Sequence, residues 1–147
     1  MRAGTENAAA IVGLAAAVEE AAAMRGVSEI TAVREYLFER LLAIPGCIAN
    51  GTRAAGKRLA GNVNVSFPGL DAESMVLHLD RMGIQCSAGS ACTAGRTEAS
   101  HVLLAIGCDG ARASSSLRLT FGAELTREDA DVIVSCVEKL TARLRSV

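Results

Sequence analysis

Two short segments alternate apolar and polar residues, Val63-Asn-Val-Ser-Phe67 and Ser116-Leu-Arg-Leu-Thr-Phe121, and both lie among stretches of helical periodicity. Alternation of period two is the signature of a half-buried strand. In the second segment Leu117, Leu119 and Phe121 point one way, and Arg118 and Thr120 the other. Strands that bury one face need helices to cover it. The chain is therefore expected to be α+β: a small mixed or mostly antiparallel sheet with helices packed on it.

The remaining elements follow from periodicity and punctuation. Ile11, Leu14, Val18 and Ala22 form a helical stripe, with Thr5 as the expected cap and Gly26 as the stop. This alanine-rich run resembles a signal peptide. However, Glu6 precedes it, Glu19-Glu20 follow it, and it is far shorter than the ~20 residues that span a bilayer. It is expected to be a buried or half-buried helix. Ser28 is the expected cap of a second helix carrying Ile30, Val33, Leu37, Leu41 and Ile44, stopped by Pro45-Gly46. Short strands are predicted at Cys47–Asn50 and Ile84–Cys86, with a basic, glycine-spotted loop over 52–61. Asp71 is expected to cap a helix with Met75, Val76, Leu79 and Met82 inward. A short helix is predicted over 100–106, ended by Gly107. Thr126 is expected to cap a last helix, with Val132, Ile133, Cys136, Val137 and Leu140 inward and Glu128 and Asp129 facing the helix dipole.

Composition narrows the function classes. At 147 residues the chain suits one domain, large enough to bury roughly 68–70% of its unfolded surface. It is 50% hydrophobic and carries a net charge of −1, from 15 basic and 16 acidic residues. Without a basic surplus, nucleic acid is not an expected partner. The aromatics, one Tyr and three Phe, are too few for a base-stacking platform. Five cysteines with no C-x-x-C pair argue against a disulfide framework or a zinc site, so no metal is expected. Reduced thiols in a cytoplasmic protein fit best, and no membrane partner is expected.

The chemistry concentrates around one cysteine. From Ser87 to Gly95 every side chain is small, and Cys92 lies within that run. Such a segment buries little area. A thiol there is able to travel to a substrate and leave carrying something, or it is an ordinary small loop residue. It acts as a nucleophile only as thiolate, for which Arg96, His101 and a helix start near Ser100 are the local aids. Cys47, Cys86 and Cys136 read as core, Cys108 as a helix-end residue open to exposure, and His78 as a surface histidine. Arg118, between two leucines, is either a solvated arginine or a carboxylate clamp held by a rigid strand.

Several segments, in order, resemble the cysteine desulfurases, pyridoxal-phosphate enzymes of the class V aminotransferase group. They are Arg2-Ala-Gly-Thr-Glu-Asn7, Asn64-Val-Ser-Phe-Pro-Gly69, Gly89-Ser-Ala-Cys-Thr93, Ser100-His-Val-Leu103 and Ser116-Leu-Arg-Leu-Thr-Phe-Gly122. The resemblance implies that Cys92 is the nucleophile that takes sulfur from L-cysteine and becomes a persulfide, leaving L-alanine. It implies that Arg118 grips the substrate carboxylate. It implies that Thr5 reaches the phosphate of the partner subunit's cofactor in a homodimer, a role suited to a helix N-terminus.

The spacing from Cys92 to Arg118 resembles the subgroup that delivers sulfur directly to an acceptor protein, such as an iron–sulfur scaffold or a thiolation protein. Ala99 stands where the family commonly has proline. The family's cofactor lysine has no counterpart, because the lysines here are Lys57 and Lys139, neither in a Ser-His-Lys-type segment. The resemblance thus implies the small C-terminal domain (27–147) preceded by a linking helix (1–26) from a larger cofactor domain, inactive alone. Two other readings stay open: a non-enzymatic sulfur carrier or interaction domain, and a selenocysteine lyase-like relative.

Overall fold

A computed structural model describes residues 4–23, 26–89 and 99–146. The element order is α1 (Ala8–Ala23), α2 (Val27–Leu42), β1 (Ile48–Ala49), β2 (Asn62–Ser66), α3 (Ala72–Arg81), β3 (Ser87–Ala88), α4 (His101–Ala105), α5 (Gly110–Ser114), β4 (Ser116–Thr120) and α6 (Arg127–Arg145). The strands form one sheet in the order β1-β2-β4-β3, and every pairing is antiparallel. The architecture is the α+β arrangement that the alternating segments require.

One face of the sheet is apolar. Val63, Val65, Leu117 and Leu119 are all buried, and they pack with Leu37, Phe38 and Leu41 of α2, Met75 and Leu79 of α3, and Ile133, Val134, Val137 and Leu140 of α6. These helices form because their apolar residues recur at three- and four-residue spacing, and side chains cap the N-termini of α3 and α6. Asp71 accepts from Ser74 N at 2.7 Å at the start of α3. Thr126 and Asp129 form a reciprocal capping box on α6. Within α6 the inward set is Ile133, Val134, Val137 and Leu140, whereas Val132 is 56% exposed. A window of consecutive Val132-Ile-Val134 does not fix the helix phase; packing chose Val134 over Val132.

Two loop contacts hold the sheet against α2. Arg34, only 4% exposed, donates to Leu59 O at 2.9 Å and pairs with Glu35 at 2.8 Å. Arg53 and Arg58 lie 5.1 and 5.2 Å from the Phe38 ring, so the basic loop is fastened over an aromatic residue. Gly61 is obligatory for close approach. A Cβ there would lie 1.9 Å from Phe121 O, where Phe121 N donates back to Gly61 O at 3.0 Å.

Several local expectations are corrected. The first helix is exposed throughout, with Ile11, Leu14 and Val18 at 57–66%, because the core closes around α2, α3 and α6 without it. Its cap is Asn7, whose Oδ1 accepts from Ala10 N at 3.0 Å, not Thr5, which precedes it. The second helix starts one residue before Ser28, at Val27, and Ser28 instead donates to Glu29. The strand predicted at Ile84–Cys86 forms at Ser87–Ala88, where β4 offers its edge. The helix α5 is an addition to the elements that periodicity predicts. Its five residues are too few to show a period, although Asp109 caps it by accepting from Arg112 N at 2.7 Å.

Candidate active site

The second face of the sheet is polar, and α5 lies on it. Alternation turns Asn64 and Ser66 of β2, and Ser116, Arg118 and Thr120 of β4, away from the core. Ser66 and Ser116 are nonetheless buried, and their hydroxyl oxygens lie 2.7 Å apart. Asn50, just beyond β1 and 1% exposed, sits over them. Its Nδ2 lies 2.7 Å from Asn64 Oδ1, 2.7 Å from Ser66 Oγ and 3.1 Å from Ser116 Oγ. Arg112 of α5 donates through Nε to Asn50 Oδ1 at 2.8 Å and through Nη2 to Ala49 O at 2.7 Å. Ser116 Oγ donates in turn to Arg112 O at 2.7 Å. Arg58 also bonds Asn50 O. A small apolar cluster of Leu103, Cys108 and Ala113, with Ala99 against it, joins α4 to α5.

Arg118 lies in the middle of this face, paired with Asn64 on β2 and with Ser87 on β3. Its Nε is buried without a hydrogen-bond partner among the described residues. A buried donor left unpaired costs about 1–3 kcal/mol, so a guanidinium held this way is set to receive an acceptor. A carboxylate fits its fork geometry best. Arg118 is half-buried, so it is not a fully solvated arginine.

The predicted residues fare differently. Cys92, with Arg96, lies outside the described residues. Its approach is defined: β3 pairs Ser87 with Arg118, and Gly89 follows at φ +71°, a left-handed turn that favours glycine. Thr5 is exposed in the segment before α1. His101 is exposed at the start of α4.

The other cysteines are structural. Burial pushes the Cys47 thiol up to about 12 and the Cys86 thiol, also facing Asp80, up to about 11. Both stay protonated at neutral pH. Cys108 is buried rather than exposed, because α4 and α5 close over it, and its Sγ lies 3.7 Å from Asn50 Oδ1. His78 is half-buried, with Nδ1 2.9 Å from Ser74 O. Asn50, Asn64 and Arg112 were missed as site residues. The alternation that singled out Arg118 also turns Asn64 to its face, and this is the signal that was readable.

Among the described residues no group of three His, Cys, Asp or Glu side chains is gathered to hold a metal, and no helix is long and apolar enough to cross a membrane. Among the described residues no lysine joins Arg118 on the strands' polar face. Lys139 lies on α6, which packs against the apolar face of the sheet, and Lys57 is exposed in the basic loop.

A small antiparallel sheet carries Arg118 on its polar face, and the small-residue run that contains Cys92 precedes that strand in sequence. The chain belongs to the aminotransferase class-V family, whose model matches residues 1–133. It is 40% identical over 151 residues to a cysteine desulfurase IscS of Clostridium botulinum, covering 99% of this chain and 38% of that one. It is 43% identical over 148 residues to a cysteine desulfurase IscS of Methanosarcina thermophila, covering 99% and 36%. The fold is similar to a NifS-like protein of Rickettsia africae, with a TM-score of 0.76 at 26% identity over 96% of this chain and 36% of that one. It is also similar to the Escherichia coli cysteine desulfurase CsdA, with a TM-score of 0.71 at 25% identity over 98% and 33%. The chain thus spans little more than a third of the length of these relatives.

Proposed function

We propose that the chain forms the substrate-carboxylate and sulfur-accepting part of a cysteine desulfurase active site. The observation that carries this reading is the buried, unpartnered Nε of Arg118 on the sheet's polar face. Arg118 holds the carboxylate of L-cysteine and thereby orients its thiol. Cys92 stands five positions beyond Ser87, the cross-strand neighbour of Arg118, a tether of at most about 18 Å. The Cys92 sulfur forms an S–S bond with the substrate sulfur while the substrate Cβ–S bond breaks and Cβ takes up a proton. L-Cysteine and the thiol become L-alanine and a persulfide, with no external oxidant or reductant. Thr5, beside the N-terminus of α1, offers its hydroxyl to a cofactor phosphate across a homodimer interface. The persulfide then passes to an acceptor protein such as an iron–sulfur scaffold, in the cytoplasm.

Pyridoxal phosphate belongs to this chemistry as an electron sink. Among the described residues Thr5 alone is assigned to it, and neither Lys57 nor Lys139 is placed to bind it, so the chain alone is inactive. Residues 1–26 act as a linking helix and 27–147 as the small domain.

The test is a chimera in which this chain replaces the aligned third of the Clostridium botulinum relative. Alanine release from L-cysteine, lost in Cys92→Ser and strongly reduced in Arg118→Ala, is the expected result. A folded, cofactor-loaded chimera that makes no alanine overturns the reading.

A further inference from the structure

We infer that Asn64 is a second donor to the carboxylate at Arg118, and that Arg112 and Asn50 fix the direction of its amide. The inference rests on the clamp reading of Arg118 given above. Asn50 N donates to Asn64 O at 2.9 Å, Asn64 is the cross-strand partner of Arg118, and Arg118 that of Ser87. Asn50, Asn64, Arg118 and Ser87 therefore form one transverse row on the polar face.

The polarity of this row is set at one end. A guanidinium only donates. With Arg112 Nε 2.8 Å away, Asn50 must present Oδ1 to it. That turns the Asn50 amide nitrogen toward Asn64, 2.7 Å away, so Asn64 must answer with Oδ1. Its Nδ2 is thereby left as a donor, and nothing among the described residues accepts from it. Neighbouring cross-strand side chains start about 4.5–5.5 Å apart at Cβ. Asn64 Nδ2 and Arg118 Nε thus belong to directly paired residues on one face, and the Arg118 Nε is buried without an acceptor among the described residues. A carboxylate, with two oxygens that only accept, satisfies both. Asn64 is a binding residue in this arrangement, and Asn50 and Arg112 are positioning residues.

The experiment titrates the ¹⁵N-labelled chain with acetate, with methylammonium as the control, and follows the Arg118 Nε–H and Asn64 side-chain amide signals by NMR. Both signals are expected to move on one saturating curve with acetate and to ignore methylammonium. Asn64→Ala should weaken acetate binding by about tenfold, the scale of a hydrogen bond to a charged group. Asn64→Asp keeps an oxygen for Asn50 but replaces the donor with a negative charge, so it should retain the folded spectrum and lose the saturable response. If the Arg118 signal titrates while that of Asn64 is still, and both variants bind acetate like the wild type, the Asn64 inference is overturned and the clamp survives. If neither signal responds, both readings fall.

Discussion

Arg112 Nε donates to Asn50 Oδ1 at 2.8 Å, joining a helix of five residues to the strand edge that it covers. Asn50 is 1% exposed, and its amide also meets Asn64, Ser66 and Ser116. Truncating it strands several buried polar groups at once, which costs more than the bond itself. Asn50→Ala is expected to lose about 2–3 kcal/mol in urea unfolding. A loss below half of that would mean that water replaces the amide and that the network is not rigid.

Gly61→Ala probes the junction between the start of β2 and the end of β4. The added methyl meets the carbonyl oxygen of Phe121, which is backbone and not a flexible side-chain end. The strands must separate locally, at an expected cost of about 3 kcal/mol. Thermal unfolding followed by circular dichroism checks this, and an unshifted midpoint would show that the approach is looser than drawn.

The buried thiols make a pH prediction. Burial raises Cys47 to about 12 and Cys86 to about 11, whereas the ordinary thiol value is 9.0. The folded chain therefore holds protons that the unfolded chain releases, so stability falls as pH rises from about 9 toward 11. The double variant Cys47→Ala/Cys86→Ala should flatten that fall, as read from urea midpoints at successive pH values. In the same range iodoacetamide should modify Cys86 before Cys47, with both protected at pH 8. Peptide mass spectrometry showing Cys47 labelled at the unfolded rate would contradict the burial.

The chain mixed with pyridoxal phosphate and L-cysteine is expected to show no stable aldimine absorption and to release no alanine. Lys57 is exposed in a loop and Lys139 rides on the helix behind the sheet. Alanine formed by the chain alone, and abolished in Arg118→Ala, would require a cofactor site that these residues do not suggest.

Legibility in the sequence followed the length and regularity of each segment. The alternation in β2 and β4 and the capped stripe of α3 give unambiguous periods, and they were readable together with the face that carries Arg118. The two-residue strand β3 and the five-residue helix α5 are shorter than any period, so tertiary pairing alone decides them. α1 shows the opposite failure: Ile11, Leu14 and Val18 have helical spacing, and the helix forms, but spacing does not say whether anything covers the stripe. Arg118 was visible as an oddity between two leucines. Its relation to Asn50 and Arg112 was not, because it depends on hydrogen-bond direction across residues far apart in the chain.

The strand order β1-β2-β4-β3 has a consequence for synthesis on the ribosome. Among the described residues β3 pairs only with β4, and β2 has β1 as its other strand neighbour, through Ile48 and Ala49. A nascent chain ending before Ser116 thus holds two strands waiting for the one that fits between them, a non-local closure that is slow to form. Arg118, the proposed carboxylate clamp, is carried by that last strand. Sheet completion and assembly of the proposed site are therefore one event, and a chain stalled short of it presents unpaired strand edges instead of a half-made site.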